Sequence, residues 1–458
     1  MEQIERGYWG GVARNMVPDL EARGILGIAL TWVDNSGITR VKAVPVGRLE
    51  HAATWGVGAS PVFDTFLVDD TPVTGRFAGG PVGDLRLHPD LNRLTALAAA
   101  PGWAWAPADR YDQNGNPHLR DARAIARGEA NRLAALGLTV RAAFEVEWCV
   151  SVGDGDEFVP ACKGPAYGMT RLTELSEYLR DLLVALAAQG VSVEQIHPEY
   201  AAGQYEVSVA VDDPVGAADT AVLVRETIRA TSARHGMRAT FAPKVLAERV
   251  GNGGHVHLSL WRDKANLMSD GAGRFGLTPE GEAFMAGILD RLPALLAIGA
   301  PSVASYLRLV PSHWAGAYAC WGLENREAAM RFVMGPVGNR PLASNVEVKC
   351  FDAAANPYLL MAGLLAAGRT GLGDRATLPE PVDVDPASLD PQTRAGRGIA
   401  ALPGTLAEAV AAFEADPVFI EALGETLVDT VATIRRGEIA LFENADAATI
   451  AAQTRWKY

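Results

Sequence analysis

Residues 25–46, ILGIALTWVDNSGITRVKAVPV, alternate apolar and polar positions on either side of an Asp-Asn-Ser-Gly turn, which is the pattern of a β-hairpin. A small β-rich domain is therefore expected at the start of the chain. The polar, turn-rich stretch APADRYDQNGNPHLRDAR follows, and helical patterning resumes after it. That change places a boundary between an N-terminal domain, residues 1–108, and a second domain, residues 109–458. Beyond the boundary, amphipathic helices alternate with short strands. Leu172, Leu175, Leu179, Leu182, Leu183 and Leu186 recur at helical spacing before a stop at Gly190. A second helix is expected from Ala217 to His235, ended by Gly236, and the tail from Thr405 is expected to be helical behind the acidic loop PEPVDVDPASLDPQ.

Several expected strands carry ligand-type side chains two residues apart: FEVEW (Glu145, Glu147), GQYEVSV (Gln204, Glu206, Ser208), GHVHLSL (His255, His257, Ser259) and NVEVKCF (Asn345, Glu347, Lys349). Side chains two apart on a strand share a face, so each segment sets a polar row against apolar Val, Phe or Leu. Singly, each row reads as the wet face of an antiparallel sheet. Together they do not, because Glu is depleted from strands and like charges on neighbouring strands repel. Something positive should sit among them. With Glu199 of HPEY added, the set is rich in carboxylate oxygen and has an imidazole, which suits Mg²⁺ or Mn²⁺. A Mg²⁺ ion keeps several waters, so this many ligands imply two or more ions.

Composition narrows the reading further. The chain has 458 residues, 49% hydrophobic, and a formal net charge of -13, which leaves no electrostatic footprint for nucleic acid or an anionic membrane surface. Cys149, Cys162, Cys320 and Cys350 lack zinc or redox spacing, so a reducing, cytoplasmic setting is expected. No stretch approaches the roughly 20 apolar residues needed to span a bilayer, and the opening MEQIERGYWGGVARN has no signal-peptide core. A small-molecule partner is the default. A second, basic group comprises Arg308, Arg326, Arg331 and Lys349. Arginines hold carboxylates and phosphates through bidentate forks, and divalent metals with arginines are the parts of a phosphoryl-transfer site. There is no GxxxxGK[ST] loop, so metals and side chains would have to hold the phosphates.

The blocks FEVEWCV, HPEYAAGQYEV, GNGGHVHLSLW, RLVPSHWAG, ENREAAMRF and VEVKCFDAAANPYLLMAGLLAAG resemble, in order and spacing, those of glutamine synthetases. The likeness spans nearly the whole chain. It implies an α+β fold: a small N-terminal β-grasp domain, and a catalytic domain whose curved antiparallel sheet forms a half barrel backed by helices. It also implies homo-oligomeric rings, a dodecamer of two hexamers, with active sites between neighbouring subunits. By the same resemblance Glu147, Glu199 and Glu206 match one metal site, and Glu145, His255 and Glu347 the other. His257 and Ser259 match nucleotide contacts, Arg308, Asn252 and Gly253 match glutamate contacts, and Arg326 and Arg331 match the phosphate-facing arginines. Lys349 and Asn345 stand where the family has arginines.

The resemblance implies two-step chemistry, in which ATP phosphorylates the glutamate γ-carboxylate and a neutral amine then displaces phosphate. Arg326, Glu199 and Glu347 are the expected catalytic groups. The family's loop after RLVP carries a glutamate that serves ammonium, and here that loop reads Ser312-His313-Trp314-Ala315-Gly316. An indole cannot take a proton, but it offers an apolar face and a cation–π surface to an organic amine. The family's Phe-Asp-Gly-Ser-Ser loop survives only as PVFDTFLVDD, with Asp64 matching its aspartate, while Tyr167 matches a tyrosine of the amine pocket. The expected function is thus ligation of L-glutamate to an organic amine such as ethanolamine, an alkylamine, a polyamine or an aniline. Trp314, His313, Tyr167 and Asp64 would line the amine site, and Glu199, Asp64 and His313 are the candidate bases. An ordinary glutamine synthetase and a non-catalytic assembly protein of the same fold are the alternatives. The second should have lost its metal carboxylates, and this chain has not.

Overall fold

In the computed structural model, which describes residues 3–458, the expected hairpin forms from strands Gly27–Val33 and Thr39–Pro45, paired antiparallel from Gly27 opposite Pro45 to Val33 opposite Thr39. Gly27–Val33 also pairs in parallel with Trp103–Tyr111, which continues the sheet to Leu85–Pro89 and Val57–Ala59. Helices Gln3–Ala22 and Leu49–Trp55 add Ala13, Leu20 and Leu49 to a core built on Ile28, Leu30 and Leu87. The first of these helices was not expected. Its apolar Trp9, Val12, Ala13, Met16, Val17 and Leu20 recur at helical spacing and pack on the core, but Gly7, Gly10, Gly11 and Pro18 among them argue against a helix in the sequence. The last strand of this sheet runs to Tyr111, past the expected division after residue 108, and the next helix begins at Ala122 with Asp121 as its cap.

The larger sheet has the strand order Ala400–Ala401, Tyr318–Leu323, Ala328–Val333, Asn345–Val348, Gly254–Arg262, Thr139–Val152, Gln204–Val209 and Val193–Pro198. It curves into a nearly closed barrel, antiparallel except where Tyr318–Leu323 pairs in parallel with Ala328–Val333. Period-two alternation holds along Thr139–Val152, where Phe144, Val146 and Trp148 enter the core while Glu145 and Glu147 point the other way. Helices Pro214–Arg234, Pro279–Gly299 and Pro357–Asp374 back the sheet and are buried along most of their length. The last two touch at paired glycines. A Cβ on Gly287 would lie 2.7 Å from the Gly371 Cα, so any side chain there would force the helices apart.

The hairpin turn of the small domain is driven into the large one. Gly37 has φ +81°, and a Cβ there would lie 1.8 Å from the Ala354 carbonyl oxygen, so only glycine fits. Asn356 joins the two domains through one side chain. Its Nδ2 donates to the Val33 and Asp34 carbonyls at 3.0 and 3.2 Å, and its Oδ1 caps helix Pro357–Asp374 by accepting from the Tyr358 and Leu359 amides at 3.0 and 3.2 Å. Arg435 adds a hydrogen bond of 2.7 Å to the Asn35 carbonyl.

Asn356→Asp keeps the cap but cannot donate to the hairpin, whereas Asn356→Ala loses both. Amide exchange in residues 33–38 should accelerate about tenfold or more in both variants, since a buried carbonyl left unpaired costs roughly 1–3 kcal/mol. Only Asn356→Ala should also accelerate exchange in the first turn of the helix that starts at Pro357.

Candidate active site

Cross-strand register turns the separate rows into one line. Arg331 lies opposite Glu347, and Glu347 lies opposite His257. His255 faces Glu145 on the next strand, Glu147 faces Glu206, and Glu206 faces His197. All of these side chains except His257 line a cleft of about 650 Å³. Sequence alone places residues on a face but not opposite one another, and the register supplies the rest.

Three sets of side chains here bring donor atoms together at metal-site spacing: Glu145, His257 and Glu347; Glu145, Glu206 and His255; and His197, Glu199 and Glu206. Glu145, Glu199, Glu206, His255 and Glu347 of the expected ligands fall in these sets and Glu147 in none, the groupings differ from the two sites that the resemblance implies, and His257 and His197 join them. His255 Nδ1 lies 2.7 Å from Glu145 and 3.3 Å from Glu347, and its Nε2 lies 3.7 Å from Glu147. The charge is unbalanced. Burial, together with Glu145, Glu147 and Glu199, pushes the Glu206 carboxyl up to about 8 despite the hydrogen bond from His197. Burial and the neighbouring Glu147 also raise Glu199. Partial burial lowers the His257 pKa, yet Glu145 and Glu347 hold it raised to about 9. Carboxylates packed this closely fit hard divalent cations, whose charge would relieve the repulsion.

On the phosphate side, Glu347 is buried, yet Lys349 and His255 hold its carboxyl down at about 2. Lys349 Nζ donates to it at 3.0 Å, and Arg331 Nη1 at 3.2 Å while Arg331 Nη2 reaches Glu324 at 2.5 Å. Arg326 also lines the cleft, and it is exposed and makes no ion pair or hydrogen bond among the described residues. His257 Nδ1 lies 2.9 Å from Asn345 Oδ1, so the ring donates there and presents Nε2 towards Glu145. Arg308 is 5% exposed, donates through Nη2 to the Lys349 carbonyl at 3.1 Å, and has an Nη1 without a partner.

The other end of the cleft is aromatic. Tyr167, Tyr200, His313 and Trp314 line it, with the Tyr200 and Trp314 rings 5.2 Å apart. Tyr167 and Trp314 both hold left-handed backbone, φ +58° and +57°, which bulky residues rarely adopt and which clusters at functional sites. The Trp314 amide donates to Glu327 at 2.9 Å, Ser312 Oγ donates to Asp385 at 2.7 Å, and the His313 ring donates to the Pro311 carbonyl at 2.9 Å. The loop is thus tied down from outside while the indole remains 44% exposed. Tyr167 hydrogen-bonds Glu199, which links the aromatic rim to the acidic floor.

Some expected positions fall elsewhere. Asn252 is fully buried. Its Oδ1 accepts from Gln204 at 3.0 Å and its Nδ2 donates to the Ala242 carbonyl at 3.0 Å, so its side chain braces the glycine loop and does not face the cleft. Gly253 does reach the site, because a Cβ there would lie 2.4 Å from His255 Nε2 and 2.9 Å from Arg308 Nη2. Ser259 lies beyond the cleft lining and accepts a hydrogen bond from the Trp261 indole at 2.8 Å. Asp64 is in the small domain, outside this chain's cleft, with Arg110 at 2.5 Å, His118 at 2.7 Å and Arg120 at 3.0 Å. These cations overcome the effect of burial and hold it well below the usual carboxylate range, so it is a poor base where it stands. Conversely, His197, Gln195, Tyr200 and Lys244 line the cleft without having been singled out. The first two show the same period-two spacing, in QIHPE, as the residues that were.

Residues 119–452 match the family described as glutamine synthetase, catalytic domain. The chain is 57% identical to a γ-glutamylpolyamine synthetase of Streptomyces coelicolor, covering 96% of this chain and 95% of that one. It is 31% identical to a glutamine synthetase of Halobacterium salinarum, covering 94% and 93%. Among solved structures, one described as a novel glutamine synthase homolog superposes with a TM-score of 0.85 at 34% identity, covering 95% and 99%. GmaS in complex with ADP superposes with a TM-score of 0.82 at 27% identity, covering 94% and 97%. The barrel, its acidic floor and these likenesses agree, and the chain belongs to the glutamine synthetase family.

Proposed function

We propose that this protein is a carbon–nitrogen ligase that joins the γ-carboxylate of L-glutamate to an organic amine of the polyamine class at the expense of ATP. The observation that carries the reading is the aromatic end of the cleft, where Trp314, Tyr200 and Tyr167 stand beside an anionic floor. Such a surface takes an alkylammonium chain along ring faces, with its charged ends drawn to carboxylates. The relative from S. coelicolor, a γ-glutamylpolyamine synthetase, supports the same substrate class.

In the first step the glutamate γ-carboxylate attacks the ATP γ-phosphoryl group, and ADP leaves. Arg326, uncommitted and facing the cleft, supplies charge to the transferring group, while Arg331 is fixed by Glu324 and Glu347. Glu145, Glu199, Glu206, His255 and Glu347 would hold Mg²⁺ or Mn²⁺, two or more ions, with His257 and His197 beside them and Glu147 on the same cleft floor. When bound, such ions neutralise phosphate charge and align the reactants. In the second step the amine must be neutral to attack the acyl phosphate. Glu199, held by the Tyr167 hydroxyl at the join of rim and floor, is placed to take its proton, with His313 as a second acceptor at the mouth. Asp64 lies in the small domain, away from its own cleft, which favours a ring in which neighbouring subunits complete each site. A cytoplasmic setting fits ATP and glutamate as substrates, and no helix among the described residues is long and apolar enough to cross a membrane.

With ATP, glutamate and a polyamine, the protein should release ADP and phosphate in equal amounts and form a γ-glutamyl amide of the polyamine mass. Ammonium turned over as efficiently as every organic amine would return the reading to ordinary glutamine synthesis. Arg326→Ala breaks no contact within the chain, so kcat should fall about 10²–10³-fold with an unchanged melting temperature. Trp314→Ala should raise the amine KM at least about tenfold while leaving the glutamate KM within about twofold. Equal rises in both would make Trp314 a lid over glutamate instead.

A further inference from the structure

Among the residues around the cleft, Lys244 stands out because nothing in the chain accounts for it. It is 5% exposed, lines the cleft, and makes no hydrogen bond or ion pair among the described residues. Lysine is almost never this buried unless it is paired, because the desolvation of an ammonium group is costly. Burial and the nearby Arg308 lower its pKa, and Glu248 offsets them only in part and forms no ion pair with it. Arg308 is in the same condition. It too is 5% exposed, its Nη1 has no partner, and it forms no ion pair with a carboxylate within 4.0 Å among the described residues. Its charge acts on the buried Asp352, whose pKa it lowers against the effect of burial, but the two form no ion pair among the described residues.

The fold holds the two cations on one wall. A Cβ on Gly251 would lie 2.1 Å from the Pro243 carbonyl oxygen and 3.1 Å from Arg308 Cγ, so the backbone just before Lys244 and the arginine side chain close on the same glycine. Across the cleft stand the carboxylates of the floor, already engaged with histidines, Lys349 and Arg331. Two buried cations with unspent donors and no carboxylate in ion-pair contact among the described residues form a receptor for an external anion. The geometry suits a carboxylate, since Arg308 can offer a planar fork and Lys244 a point charge beside it.

We propose that Lys244, together with Arg308, binds the α-carboxylate of the acid substrate, and that Lys244 makes the enzyme demand a second carboxylate in addition to the one it activates. This rests on the ligase reading given above. It adds that a monocarboxylate such as 4-aminobutyrate, which keeps the activated carboxyl group and lacks the other, is rejected because both cations are then left unpaired in a buried wall.

Lys244→Met keeps the length and apolar stem and removes the charge. The glutamate KM should rise about tenfold or more, the ATP and polyamine KM values should stay within about twofold, and the preference for glutamate over 4-aminobutyrate in kcat/KM should shrink by the same factor. The melting temperature should hold or rise, because an unpaired buried charge has gone. A second measurement needs no variant: in wild-type protein, glutamate should protect Lys244 from acylation by an amine-reactive reagent, read by peptide mass spectrometry, and 4-aminobutyrate should not. An unchanged glutamate preference in Lys244→Met, or a rise in the ATP KM instead, would overturn the assignment, as would equal protection by both acids. Wild-type protein that ignored glutamate altogether would overturn the ligase reading itself, and this assignment with it.

Discussion

Glu145, Glu147, Glu206 and Glu347 sit on three strands of one curved sheet, with the strand of His255 between those of Glu347 and Glu145, and all four line one cleft together with Glu199. Strands in a sheet are about 4.8 Å apart, so like charges on them cannot avoid one another by moving. The apo chain meets the repulsion with His197, His255, His257, Lys349 and Arg331, and these fall short: Glu206 and Glu199 are still pushed upward. A sheet can keep so unfavourable a floor only if the rest of the fold is firm. The backing helices supply that firmness, closely enough packed that Gly287 and Gly371 touch. The hairpin turn wedged beside Ala354 and held by Asn356 extends it to the small domain.

A rigid, over-acidic floor then dictates what the two ends of the cleft can be. One end offers cations with free donors, Arg326, Arg308 and Lys244, to phosphate and carboxylate. The other offers ring faces on a loop whose backbone is strained at Ser312 and Trp314 and anchored through Glu327 and Asp385. Strain retained at such a place costs about 1–3 kcal/mol per residue and persists where it positions a side chain for use. On the proposed reading, Trp314 in place of the family's loop glutamate selects the nucleophile and leaves the cationic residues of the cleft as they are.

Much of this was legible in the chain. Period two in FEVEW and GHVHL placed Glu145, Glu147, His255 and His257 on the cleft face, because alternation on a strand is fixed by the backbone and not by context. The family blocks carried the curved sheet and the helices that back it. What the chain could not carry was pairing between distant segments. Register decides that His197 meets Glu206 and that His257 meets Glu347, and no local signal encodes it. Asn252 looked like a ligand contact because it neighbours Gly253, yet its side chain turns into the core to brace the loop. Lys244 was invisible for the opposite reason, since a single lysine in an aperiodic stretch gives no pattern until a fold buries it. The N-terminal helix escaped notice because Gly7, Gly10, Gly11 and Pro18 interrupt an otherwise periodic apolar face.

The central claim is that the acidic floor is kept for cations it must bind and not for the stability of the fold. Thermal unfolding of wild-type protein and Glu206→Gln, each with and without Mg²⁺ or Mn²⁺, tests this most directly. The account predicts that metal raises the wild-type melting temperature by mass action, that this rise is lost or much reduced in Glu206→Gln, and that the metal-free variant is at least as stable as metal-free wild type. A metal-free variant that melts well below wild type, together with a wild-type protein indifferent to metal, would contradict it and make the carboxylates structural partners of their histidines.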